Sequence, residues 1–187
     1  ETGKTLFSAF VPEKKGSHID IQTSYVLPLA FNIIDEENRN KVIANLAETV
    51  RRENTTDRGQ QCPSYSLMTG FIGTSWINKA LSDYGHSDLA YRLLQQTSYP
   101  SWLYSIEQGA TTIWERLNSY TRTDGFGGNN RMNSFNHYSF GAVGAWMYNY
   151  SLGIQRDETF PGFKQFVLKP MPDPTGKMTY ARGYYDS

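Results

Sequence analysis

Two stretches of the sequence carry residue types that can do acid–base chemistry on a polyhydroxylated ligand. In Gly109-Ala-Thr-Thr-Ile-Trp-Glu-Arg116, the carboxylate of Glu115 lies between Trp114 and Arg116. An apolar ring disfavours its charge and a guanidinium favours it. An ionised, oriented carboxylate at a loop–helix boundary suits a general base that activates water; the same triplet also reads as a plain Glu–Arg ion pair. His137, in Asn133-Ser-Phe-Asn-His-Tyr138, follows a Gly/Asn-rich loop over 118–133. Its Asn, Ser and Tyr neighbours can hydrogen-bond sugar hydroxyls, or the imidazole can simply hold a loop. His18, His86 and His137 show no metal-ligand spacing, so no metal or cofactor is expected. Tyr99, Trp102 and Tyr104 form an aromatic run around Pro100 that serves equally as a sugar platform or as core.

The elements that must position these residues are mostly helical. Apolar residues recur at helical spacing from Gln22 through Ile34, with Pro28 expected to kink the segment or delay its start. Asp35 reads as the N-cap of a helix with Val42, Ile43, Leu46, Ala47 and Val50 on one face. Residues 53–66 read as loop. A third helix is predicted over Gly70–Tyr84, with Gly85 as its C′ residue. Ser87 is placed to cap a fourth, which ends near Tyr99-Pro100. A short helix is predicted over Ala110–Leu117, a last one over Ser134–Ser151, and strands over Phe163–Leu168 and Lys177–Tyr185. Sequential helical hairpins build bundles, solenoids or α/α toroids. The long loops after Val50 and Leu117 fall where sites gather.

Composition narrows the partners. The 187 residues bound the chain to about one domain, or one domain plus a piece of a second. Eighteen basic side chains balance eighteen acidic ones, which argues against nucleic acid or an anionic membrane surface as main partner. No apolar run approaches the roughly 20 residues that span a bilayer. One cysteine, Cys62, excludes an internal disulfide and a multi-Cys zinc site and leaves the compartment open. Tyrosines outnumber phenylalanines, 13 to 10, as on a surface where one edge of each ring stays wet. The chain starts at Glu1 without a signal-peptide pattern and ends within a strand-like run, so it reads as a processed or partial product.

Several ordered motifs together resemble the bacterial α-L-rhamnosidases of glycoside hydrolase family 78: Tyr99-Pro-Ser-Trp102, Gly109–Arg116, Met132–Tyr138 and Gly141-Ala-Val-Gly144. Gln22-Thr23, Thr69–Thr74, Asp88–Leu94 and Pro161-Gly-Phe163 match as well. The resemblance implies a mainly α fold. Residues 1–160 would form about half of an (α/α)6 toroid, the C-terminal part of the catalytic domain, and 161–187 the first strands of a C-terminal β-sandwich. It implies inverting hydrolysis of terminal α-L-rhamnosides, with Glu115 as general base and His137, Trp102 and Trp114 as substrate-binding residues. The sequence departs from the family in Leu117, Asn118 and Ala145, and residues 53–65 look like an insertion. The acidic motif that supplies the general acid has no counterpart. An inverting mechanism needs two carboxyl groups about 6.5–9.5 Å apart, so the acid and the remaining hairpins would come from an N-terminal half of the same enzyme, or from self-association. The alternative reading is a non-catalytic carbohydrate-binding or helical scaffold fragment. If the chain did carry its own acid, Asp20, Asp83 and Glu107 would be the first candidates.

Overall fold

The computed structural model describes residues 5–6, 18–127 and 131–186. A two-residue pairing of β1 (Thr5–Leu6) with β2 (His18–Ile19) leads into the helices. These are α1 (Gln22–Ala30), α2 (Glu36–Arg51), α3 (Gly70–Asp83), α4 (Ser87–Gln95) and α5 (Trp102–Glu107). A short antiparallel hairpin, β3 (Asn54–Thr55) with β4 (Gln61–Cys62), separates α2 from α3.

Each long helix buries one stripe. Tyr25, Val26 and Leu29 of α1 meet Leu46, Ala47 and Val50 of α2, Ile77 and Leu81 of α3, and Leu89 and Leu93 of α4 in a single core. Pro28 lies in the last turn of α1, so the helix ends at Ala30 and Ile33 is left outside it and exposed. The α3–α4 corner follows the sequence closely. Gly85 has φ +84°, the left-handed region. His86 N–H donates to the Leu81 carbonyl at 2.7 Å and Gly85 N–H to Ser82 at 3.2 Å, the paired bonds of a Schellman cap. Capping side chains differ from expectation. Asp35 occupies the N-cap position of α2 without a side-chain bond, and His86, not Ser87, precedes α4. Ser101 does cap α5, accepting from Tyr104 N–H at 3.1 Å.

Three predicted elements are replaced. Ala110–Leu117 is extended and turn-like, not helical. Its β-branched run Thr111-Thr112-Ile113 disfavours a helix, and residues 133–137 supply hydrogen-bond partners. The helix expected from Ser134 begins only at Ser139. It runs as a 3₁₀ turn (Ser139–Ala142), a single α turn, α6 (Val143–Trp146), and a π turn (Met147–Ser151). Lys177–Tyr185 forms no strand, since no neighbouring strand pairs with it. Of the Phe163–Leu168 prediction only β6 (Phe166–Leu168) is strand. It pairs antiparallel with β5 (Ile154–Arg156), which the periodicity did not reveal.

The C-terminal segment is fastened to the helices by polar bonds. Lys169 N–H donates to the Gly153 carbonyl and Met171 N–H to Tyr150, both at 2.8 Å. Gly153 has φ +74°, and a Cβ there would overlap the Lys169–Pro170 backbone. The Tyr91 phenol donates to the Met171 carbonyl at 2.7 Å. The Asp173 carboxylate accepts from Gln95 Nε2 at 2.6 Å, Met178 N–H at 2.9 Å and Thr175 N–H at 2.8 Å.

Partial burial works against the charge on Asp173, but the Met178, Thr175 and Gln95 donors outweigh it and hold the carboxyl below its usual range. A folded pKa below the unfolded value of about 3.9 stabilises the fold fully above that value. The contribution disappears as pH falls through the folded pKa. Melting temperature should therefore drop more steeply below about pH 4 in the wild type than in Asp173→Asn. Parallel slopes would remove Asp173 from the acid sensitivity.

Candidate active site

Glu115 is positioned by an irregular antiparallel ladder. Glu115 N–H donates to the Ser134 carbonyl at 2.9 Å and His137 N–H to the Ile113 carbonyl at 2.8 Å. The Thr112 hydroxyl donates to the Phe135 carbonyl. Within the ladder, Ser134 N–H turns to the Glu115 side chain and donates to Oε2 at 2.9 Å. The carboxylate is thus held by one oxygen and half-buried. Arg116 does not pair with it as the adjacent residues suggested. Its guanidinium donates to Asn133 Oδ1 at 2.9 Å and ties the loop's far end to the same ladder.

Glu115 opens onto a cleft of about 490 Å³, within the range that takes small-molecule ligands. Arg116, Asn118 and Met132 line it from the ladder side, Leu67, Met68, Gly70 and Phe71 from the start of α3, and Tyr99 and Pro100 from the α4–α5 link. Thr56 and Asp57, at the tip of the β3–β4 hairpin, complete it. The Met68 region is set by Gln22, a buried side chain of α1. Its Nε2 donates to the Ser66 carbonyl at 2.9 Å and its Oε1 accepts Met68 N–H at 2.8 Å. Burying an amide without partners is costly; here it substitutes for backbone pairing and fixes an irregular segment.

His137 is not among the residues that line the cleft; it stacks on Phe71, which is one of them. The two rings stack at 4.8 Å, and Tyr138 stacks on the imidazole's other neighbourhood at 5.3 Å. Nδ1 accepts Ser139 N–H in a long bond of 3.4 Å. With Nδ1 accepting, Nε2 is the ring nitrogen left to donate.

The two tryptophans are buried. Trp102 is 7% exposed, and its indole N–H donates to the Phe140 carbonyl at 2.8 Å. Trp114 is equally buried and packs edge-on against Phe135 at 5.2 Å. Both line a separate apolar cavity of about 240 Å³. Leu117 and Phe140 border that cavity and the Glu115 cleft alike. The structure therefore places Glu115 and Phe71 on the cleft, His137 behind Phe71, and Trp102 and Trp114 on the apolar side of a shared wall.

The other carboxylates lie elsewhere. Asp20 accepts from the Tyr25 phenol at 2.5 Å and pairs with Arg52 at 3.0 Å. Asp83 pairs with Lys79 and accepts from the Tyr150 phenol at 2.6 Å. Burial, then that bond, push the Tyr150 phenol up to about 12. Glu107 is exposed at the end of α5. None of the three lines the cleft, whereas Asp57, which sequence reasoning passed over as loop, does. Its signal was the turn Thr56-Asp-Arg-Gly59 between β-branched and polar flanks. Among the described residues no group of three or more His, Cys, Asp or Glu side chains could hold a metal ion, and no helix is long and apolar enough to cross a membrane.

Comparison with known proteins places this geometry. An alpha-L-rhamnosidase of Formosa agariphila is 43% identical over 151 residues, covering 81% of this chain and 15% of that protein. One from Streptomyces avermitilis is 37% identical over 184 residues, 98% of this chain and 16% of that protein. The chain thus spans about a sixth of the length of these relatives. The crystal structure of a Streptomyces avermitilis alpha-L-rhamnosidase complexed with L-rhamnose superposes with a TM-score of 0.71 at 39% identity, over 82% of this chain and 14% of that one. The native enzyme from Aspergillus terreus gives 0.70 at 34% identity, over 82% of this chain and 16% of that one. The sequence pattern described as the bacterial alpha-L-rhamnosidase 6 hairpin glycosidase domain matches residues 2–151, and the chain belongs to that family.

Proposed function

We propose that this chain is part of an enzyme that releases terminal α-L-rhamnose from rhamnosides by inverting hydrolysis, with Glu115 as general base. The observation that carries the reading is the Glu115 carboxylate itself, fixed through Oε2 by Ser134 N–H at the edge of a ligand-sized cleft. A carboxylate so held can orient a water on the face of the sugar opposite the leaving group and take its proton as the water attacks the anomeric carbon. His137 donates to a sugar hydroxyl. Trp114 and Trp102 shape the site from its apolar side.

In this reading residues 1–160 form the C-terminal part of an (α/α)6 catalytic domain and 161–187 begin a β-domain. The remaining hairpins cover the apolar side chains left outside the core, Ile33 at 74% and Ile72 at 68% exposure. They also bring the carboxylic acid that protonates the leaving oxygen. The partners are then a rhamnose-containing glycoside and the rest of the same enzyme, or a second copy of the chain.

The test is stereochemical. The full-length protein carrying this chain is mixed with an aryl α-L-rhamnoside and the released sugar is followed by NMR. Inversion gives the β-anomer first. Early release of the α-anomer would exclude inversion. Rhamnose binding without turnover would favour the carbohydrate-binding scaffold. The His137→Ala protein should need a higher rhamnose concentration for the same inhibition, and an unchanged inhibition constant would make His137 structural.

A further inference from the structure

The β3–β4 hairpin brings to the cleft a carboxylate that the proposed mechanism does not use. Its tip is closed by backbone bonds, Thr56 N–H to the Gln60 carbonyl at 2.9 Å and Gly59 N–H to the Thr56 carbonyl at 3.0 Å. Gln60 N–H adds a bond to Thr56 Oγ1 at 3.1 Å. Its base is anchored as well. Asn54 Nδ2 donates to the Thr49 carbonyl at 2.9 Å, the Arg52–Asp20 pair braces the turn out of α2, and Cys62 is buried. A loop fixed at both ends presents a side chain with little ordering cost on binding.

Among the described residues, Glu115 and Asp57 are the two carboxylates bordering the cleft. Glu115 is half-buried and anchored, whereas Asp57 is exposed at the outer rim. Among the described residues Asp57 has no ion pair and no hydrogen bond to its side chain. Burial, then Cys62, push the Tyr99 phenol up; Arg116 opposes the shift, and Tyr104 and, last, Asp57 add to it. A carboxylate with unused lone pairs at the rim of a sugar cleft is an acceptor for hydroxyl groups, and such charged hydrogen bonds are stronger than neutral ones.

Position decides which hydroxyls. The rhamnose to be attacked must lie against Glu115, the deeper carboxylate. The cleft is larger than one pyranose ring, and the rest of the substrate must point outward to solvent, past the hairpin tip. We infer that Asp57 is a specificity-determining residue whose carboxylate accepts hydrogen bonds from the hydroxyls of a sugar leaving group, so that the enzyme prefers rhamnosyl saccharides to rhamnosides of apolar aglycones. The inference rests on the rhamnosidase reading above.

The experiment compares wild-type, Asp57→Asn and Asp57→Ala forms of the full-length protein, with Arg58→Ala as a control at the same tip. Each is assayed on a rhamnosyl-glucose disaccharide and on nitrophenyl α-L-rhamnoside. Both Asp57 variants should lose roughly 10- to 100-fold in kcat/KM on the disaccharide and change less than about threefold on the aryl substrate. Arg58→Ala should alter neither. The ratio of the two specificity constants does not depend on the fraction of folded enzyme, so a stability effect cannot imitate the result. Parallel losses on both substrates, or an unchanged ratio, would overturn the assignment of Asp57 while leaving the rhamnosidase reading in place. A wild-type protein that cleaves neither substrate would overturn that reading and the inference with it.

Discussion

Glu115→Gln in the full-length enzyme should lower kcat by about 10²–10⁴-fold, the usual worth of a positioned general base, with little change in the affinity for rhamnose. The amide oxygen of glutamine can still accept Ser134 N–H, so the ladder that Glu115 N–H and His137 N–H make with Ser134 and Ile113 stays intact. What is lost is the capacity to take a proton from water. A loss confined to the transition state lowers kcat and kcat/KM together and leaves ground-state binding alone. Steady-state kinetics, with rhamnose inhibition as the measure of binding, separates these quantities. A kcat within roughly threefold of wild type would remove Glu115 from the mechanism. A large rise in the rhamnose inhibition constant would make it a binding group.

The second large effect is on stability. Trp102→Ala should cost about 3–5 kcal/mol, a sizeable part of the roughly 5–15 kcal/mol that holds a typical domain folded. The indole is buried and its N–H satisfies the Phe140 carbonyl, so alanine leaves both a void and a buried orphan acceptor. Trp102→Phe keeps most of the ring and isolates the lost hydrogen bond, at about 1–3 kcal/mol. Chemical denaturation gives both numbers. Because Trp102 borders the apolar cavity and not the Glu115 cleft, KM of the Phe variant should stay near wild type. A raised KM with unchanged stability would return Trp102 to the sugar's surface.

Local signals in the sequence located what local physics determines. The stripe of Leu46, Ala47 and Val50 marks the buried face of α2, and Gly85 marks the α3–α4 corner, because spacing and a positive φ are written residue by residue. Glu115 and His137 were legible as residue types in matching motifs. Their relation was not, since the two segments meet through bonds between 112–115 and 134–137 that no periodicity records. The same long-range pairing is why the helix predicted over 110–117 is absent and the one predicted from Ser134 starts only at Ser139. Asp57 escaped notice for a related reason: a polar hairpin has no apolar stripe, and its place at the cleft follows only from how the anchored hairpin folds. The aromatic run at Tyr99–Tyr104 offered platform and core as equals, and burial divides it. Tyr99 borders the cleft, and Trp102 faces the packed interior.

The buried amide of Gln22 has a consequence for how the site breathes. It spans α1 and the segment bordering the cleft, taking Met68 N–H and giving to the Ser66 carbonyl, while the neighbouring Thr23 hydroxyl donates to the Thr69 carbonyl at 2.6 Å. Neither partner can leave without orphaning the other's polar groups. In the language of native-state hydrogen exchange, groups linked in this way are expected to open as one cooperative unit. The Met68 amide is protected by a side chain more than forty positions earlier in the chain. Its exchange should follow detachment of that helix, so the order of this wall of the cleft depends on α1.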